Sequence, residues 1–153
     1  RKDVIMITIN FELLSKEFIA LLEKEQSIVL ATSAGDKVTA RTMSHVNDGL
    51  DIYFQTGNTS EKFKQIEANQ RIAFAIGNMQ IEAIAEILKL PKDTPHFINL
   101  YKAKFPRYYD LYTNSEDEVL IKAVPTKVAF YKYIDGKPCK ETLDLKTKEA
   151  YRE

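Results

Sequence analysis

The chain has 153 residues, with 22 Lys and Arg balanced by 22 Asp and Glu, for a net charge of zero. That length favours a single domain over 1–153, large enough to bury roughly 70% of its unfolded surface. Neutrality argues against a nucleic-acid binder, which is usually clearly basic. No apolar run approaches the roughly 18 residues of a membrane span and no secretory signal pattern opens the chain, so a cytoplasmic protein with no membrane partner is expected.

Asn10 is placed to cap a helix over 11–26, in which Phe11, Leu14, Phe18, Leu21 and Leu22 recur at three- and four-residue steps. Residues 27–33, rich in Ile, Val, Leu and Thr, read as a strand. Gly35-Asp36 turns it into a second strand over 38–46, and Asn47-Asp48-Gly49 turns that into a third over 50–56. Short turns make these an antiparallel meander. On the middle strand, alternation puts Arg41, Met43 and His45 on one face and Val38, Ala40, Thr42 and Val46 on the other, and the second set reads as core.

A helix over 60–68 follows, then a strand over 71–76. There Ile72, Phe74 and Ile76 share one face, while Ala73, Ala75 and Gly77 share the other and permit close approach by something bulky. A long strand over 79–90 ends at Pro91. Thr94-Pro95 opens a helix to about 104, and 108–112 fits a further turn. The acidic loop 114–118 leads to strands over 119–124 and 126–134, with a bulge or change of direction at Pro125. Asp135-Gly136 makes a turn. Residues 1–10 and 146–153 are expected to be peripheral or poorly ordered. The sum is a mainly β fold, an antiparallel and at least partly closed barrel of six or more strands with flanking helices, since closure removes exposed edges.

The chemistry concentrates between Arg41 and Gln65. A basic strand residue, a hydroxyl-rich loop and a helix N-terminus with Lys62 in its first turn suit one phosphate dianion. Each part also has a plain reading. Arg41 fits a solvated strand arginine, and Ser60 with Glu61 fits an ordinary helix start. Lys62 is the exception, because a cation in a first turn is disfavoured unless an anion lies near. His45 and His96 have no partner at metal-ligand spacing, and His45 reads as a packed or rim residue. The single cysteine, Cys139, excludes an intrachain disulfide and a cysteine-built metal centre. No nucleophile elbow, P-loop or GxGxxG is present, so any redox chemistry falls to a cofactor.

The order of these pieces resembles the flavin-binding split-barrel family related to pyridoxamine 5′-phosphate oxidase, in particular its short general-stress-protein branch. The resemblance rests on Arg41-Thr42-Met43, Tyr53-Phe54-Gln55-Thr56, Ser60-Glu61-Lys62, Gln65-Ile66, Asn69 and Arg71-Ile72-Ala73. It continues through Ile84-Ala85-Glu86-Ile87-Leu88 and the closing segment 125–145. It implies an antiparallel split β-barrel that binds FMN at a homodimer interface and acts as an oxidoreductase on a small substrate. Arg41, Ser60 and Lys62 are then expected to hold the phosphate. Thr42, Met43 and Ser44 line the isoalloxazine, Gln55 and Thr56 flank the flavin, and Asn78 lies near where the oxidase has a glutamine reaching the partner's flavin. The chain has no Trp and no Arg-Leu-His-x-Arg end, which argues against vitamin B6 oxidation. The alternatives are a flavin-sensing or flavin-storing protein without turnover, a split-barrel binder of haem or deazaflavin, and a dimerisation domain with a degenerate site.

Overall fold

The computed structural model describes residues 5–108 and 115–153. Helix α1 (Phe11–Lys24) starts where Asn10 accepts a hydrogen bond from the Leu13 N–H at 2.9 Å. It buries Leu14, Phe18 and Leu22 and stops two residues short of the expected end. Strands β2 (Ser27–Ala34) and β3 (Lys37–Ser44) form a hairpin. The single strand expected over 38–46 breaks at His45, and β4 (Val46–Asp48) pairs instead with β5 (Asp51–Gly57). The expected three-stranded meander is therefore two pairs joined at a corner.

Helix α2 (Glu61–Ala68) leads to β6 (Arg71–Ile76) and β7 (Met79–Ile87). A single 3-10 turn, Pro91–Asp93, precedes α3 (Pro95–Lys104). The strands expected on either side of Pro125 are one, β8 (Glu118–Ile134). Its register with β7 shifts beside Pro125, as the missing N–H demands, and the Thr126 hydroxyl donates to the Glu82 carbonyl at 3.2 Å. The turn expected over 108–112 lies largely outside the described residues. The chain's final stretch is not frayed. After β9 (Lys137–Asp144), β10 (Glu149–Arg152) pairs with β9 and with β1 (Ile7–Ile9). Asp144 makes that turn, accepting from the Lys146 and Thr147 N–H groups.

The ten strands among the described residues join one antiparallel sheet, in the order β1-β10-β9-β8-β7-β6-β2-β3, with β5 added to β8 and β4 to β5. Among the described residues β3 and β5 share no pairing, so the barrel is split there. The main core fills the interior with Phe18, Leu30, Ile52, Phe54, Phe74, Ile81, Ile121 and Phe130. Phe54 and Phe74 meet edge to face at 6.0 Å. A second apolar cluster, Val46, Tyr53, Phe97, Tyr101, Phe105 and Leu120, seats α3 on the outside of the barrel.

The face assignment is inverted along β3, though Val46, beyond the corner on β4, is buried as expected. Val38, Ala40 and Thr42 are exposed, Val38 by 71%. Thr39, Arg41 and Met43 are half-buried, and Met43 packs on the main core. Apolarity misled here because the outward side carries the small and apolar residues, whereas the inward side ends in a polar network under α2. The outward face continues through Val29 and Ala31 on β2 to Ala73 and Ala75 on β6.

His45 is 1% exposed at the β3–β4 corner, with its Nε2 2.9 Å from the Leu22 carbonyl. The Lys104 ammonium donates to the Leu22 and Glu25 carbonyls at 3.0 and 2.6 Å, tying the end of α3 to the end of α1. Burial, then the adjacent Lys104 charge, pushes the imidazole down to about 4. The folded state thus holds fewer protons than the unfolded state between pH 6.5 and 4, and stability falls as pH drops through that window. His45→Gln keeps a donor for Leu22 and removes the titration. We expect it to lose about 3 kcal/mol less stability than the parent between pH 7 and pH 4, read from urea midpoints.

Candidate functional site

The β3–β5 split holds a cavity of about 420 Å³, within the roughly 300–1,000 Å³ usual for small-molecule sites. One wall is the end of β3, Thr42, Met43 and Ser44; a second is the end of β5, Gln55, Thr56 and Gly57. Lys62 enters from the first turn of α2, Tyr101 from α3, and Glu118 from the start of β8. Because β3 pairs only with β2 among the described residues, its other edge offers backbone N–H and C=O groups toward this space.

Six of the nine expected residues, Thr42, Met43, Ser44, Gln55, Thr56 and Lys62, are thus brought together. Ser60 adjoins them as the helix cap. It accepts from the Phe63 N–H at 3.2 Å, donates to the Gly57 carbonyl at 2.8 Å, and lies 3.1 Å from the Thr56 hydroxyl. Asn78 does not line the cavity. It sits in the β6–β7 turn and donates to the Tyr131 carbonyl at 3.1 Å.

Arg41 is close to Lys62 but points under α2. Its Nη1 donates to Thr32 Oγ1 at 2.8 Å and to the Leu30 carbonyl at 3.3 Å, and its Nη2 donates to Thr39 Oγ1. Both hydroxyls pass their own protons to Gln65 Oε1, at 2.5 and 2.8 Å, and Gln65 Nε2 reaches the Lys37 carbonyl at 3.3 Å. The network is directional, with every donor aimed at an acceptor. Of the five guanidinium N–H groups, three are spent inward. Arg41 does not line the cavity and is a structural tie rather than a solvated strand arginine.

The site's electrostatics favour an anion. Burial lowers the Lys62 ammonium below its ordinary range, and the nearby Arg41 charge lowers it further, with Glu118 opposing. Burial also lowers Arg41. An anion between two partly desolvated cations relieves both penalties. Burial raises the Glu118 carboxyl, Lys62 pulls it back, and Asp117 raises it again. Gln55 Oε1 and Glu118 Oε2 are buried with no hydrogen-bond partner among the described residues.

Sequence reading missed Glu118 and Tyr101 as site residues. Glu118 reads as the end of an acidic loop, and only the β5–β8 register places it opposite Gly57. Tyr101 reads as one more apolar helix residue. Gln65 was visible as part of a motif, but its role as acceptor for two threonines on different strands was not.

The family model for pyridoxamine 5′-phosphate oxidase matches residues 14–132. The chain belongs to that family. No curated protein sequence matches it. Among solved structures it resembles the general stress protein 26 of Bacillus anthracis, at 22% identity and a TM-score of 0.62, covering 82% of this chain and 96% of that one. An F420 reductase shares 23% identity at a TM-score of 0.57, over 71% of this chain and 93% of the other. HutZ, the haem storage protein of Vibrio cholerae, shares 15% identity at 0.60, over 76% and 91%. At these identities the likeness concerns the fold.

The two cations differ in what they hold in the folded chain. Arg41→Ala removes donors from Leu30, Thr32 and Thr39 and is expected to cost about 1–3 kcal/mol of stability. Lys62→Ala removes a cation penalised by burial and should shift stability by less than about 0.5 kcal/mol. Urea midpoints of the two ligand-free variants check this.

Proposed function

We propose that the protein binds FMN in the β3–β5 split and works as a flavin-dependent oxidoreductase on a small substrate. The observation that carries this reading is the meeting of Thr42, Met43, Ser44, Gln55, Thr56 and Lys62 around one cavity. Two partly desolvated cations stand at its edge. Lys62 and the remaining N–H groups of Arg41 hold the phosphate, and Ser60 fixes the loop and helix start that present Lys62. The free edge of β3 orients the ring through backbone groups, while Tyr101 and the α3 cluster shut water from one side. Bound FMN supplies hydride or electron transfer, and the protein supplies its position and surroundings.

The protein acts as a homodimer in this reading. Thr42 belongs both to the cavity and to the outward face of small and apolar residues running through Ala40, Ala31 and Ala73. A second copy laid on that face covers exposed apolar surface and closes the cavity's open side, and zero net charge does not oppose association. Asn78, away from its own chain's cavity, reaches the other copy's only by giving up its hydrogen bond to the Tyr131 carbonyl.

Fluorescence titration tests the cofactor. FMN should bind stoichiometrically and riboflavin much more weakly. Lys62→Ala should weaken FMN about tenfold to a hundredfold and leave riboflavin nearly unchanged, since only FMN carries the phosphate. An absorbance spectrum of the protein as purified separates flavin from haem and deazaflavin. Equal affinity for FMN and riboflavin would remove the phosphate assignment. Ala40→Glu puts a charge on the outward face without touching the core. It should give a monomer by light scattering, with intact helix and sheet signals and weaker FMN binding.

A further inference from the structure

We infer that Glu118 is a specificity residue of this site, its carboxylate accepting a hydrogen bond from a hydroxyl of the bound ligand. The inference rests on the flavin reading above and extends it to a residue outside the expected set. Glu118 lines the cavity beside Lys62, and its Oε2 is buried without a partner among the described residues. Buried acceptors are nearly always satisfied in native proteins, so a group that supplies a donor belongs there.

Across the β5–β8 pairing, Glu118 faces Gly57. Gly57 has no left-handed φ, and a Cβ added to it meets nothing within 4 Å. Neither backbone nor packing requires glycine at that position. Its consequence is that no side chain stands directly opposite Glu118 on β5. Gln55 Oε1 is a second buried acceptor in the same cavity. The groups around Glu118 are Lys62 on α2, Asp117 in the preceding loop and Tyr101 on α3, with Arg41 behind Lys62.

The ligand thus meets the Lys62 cation, with Arg41 behind it, and two waiting acceptors. It must carry an anion and, next to it, hydrogen-bond donors. A phosphate cannot satisfy Glu118, because two anions repel. The polyhydroxylated ribityl chain that follows the phosphate of FMN can. Haem cannot, since its free polar groups are carboxylates, and the same residue selects against it.

The test is a set of fluorescence titrations with FMN, riboflavin and lumiflavin, which has the ring but no ribityl chain. Glu118→Leu should weaken FMN and riboflavin by about tenfold each and leave lumiflavin within about twofold. Glu118→Gln keeps an acceptor and should stay within about threefold of the parent for all three. If Glu118→Leu does not fold, Glu118→Ala serves the same comparison. Tighter FMN binding with unchanged riboflavin would show a carboxylate that only repels phosphate, and would overturn the inference. So would an equal loss for all three ligands, or no loss for any. A parent protein that binds FMN while these variants behave otherwise than expected sinks this inference alone. A parent that binds no FMN sinks the flavin reading and the inference with it.

Discussion

Along one edge of β8, residues 118–123 pair with β5 and residues 127–134 pair with β9, while residues 121–130 pair with β7 on the other edge. The whole sheet depends on that sharing. One strand of 17 residues serves first the barrel and then the β9–β10–β1 extension. The exchange happens at residues 124–126, where Pro125 has no N–H to leave unpaired. The register shift opposite Glu82 and Ala83 bends the strand there. β5 is held to the barrel through β8 rather than through β3, so the gap beside β3 follows directly from this arrangement. The candidate site is that gap.

A gap in a sheet is costly unless its polar groups find partners. The interior side is closed by the hydrogen bonds from Arg41 through Thr32 and Thr39 to Gln65, which knit β2, β3 and α2 together. The outer side is flanked by α3, seated by Tyr53, Phe97, Tyr101 and Phe105 and tied to α1 by Lys104. The split is therefore rigid on both flanks and open between them, the condition for a preorganised binding site. Arg41 serves the fold and the site at once. Its inward hydrogen bonds hold the guanidinium in place, and its charge is felt by Lys62.

The outward face of the sheet has the opposite character. Val29, Ala31, Ala40, Ala73 and Ala75 present little side-chain bulk and no charge. Arg71 and Glu82 border this stretch, and Thr42 joins it to the candidate site. In the proposed reading these small residues permit a close second copy, which covers the open side of the cavity.

How much of this was legible in the sequence varies by element, for physical reasons. Helix starts at Asn10 and Ser60 were legible because capping is local: a side chain and an N–H three residues on decide it. The face of β6 was legible because Ile72, Phe74 and Ile76 alternate with small residues. The irregularity at Pro125 was legible because a missing N–H is a property of one residue. The resemblance of motif order supplied the family and six residues that the cavity then gathers.

What the sequence did not decide were facts of pairing and partition. The face of β3 was misread because alternation separates two faces but does not say which is inside. That depended on α2 covering the side bearing Thr39 and Arg41. The tail over 146–153 looks polar, yet it is ordered by hydrogen bonds to β9 and β1, elements remote from it or made of ordinary polar sequence. Glu118 joined the site only through its register opposite Gly57, and Tyr101 only through the packing of α3. Local chemistry determines caps, turns and alternation because the interacting atoms are neighbours in the chain. Which face is buried, which edge is left open and which carboxylate meets Lys62 are decided by contacts between segments far apart in sequence, and those exist only once the sheet has closed as far as its split.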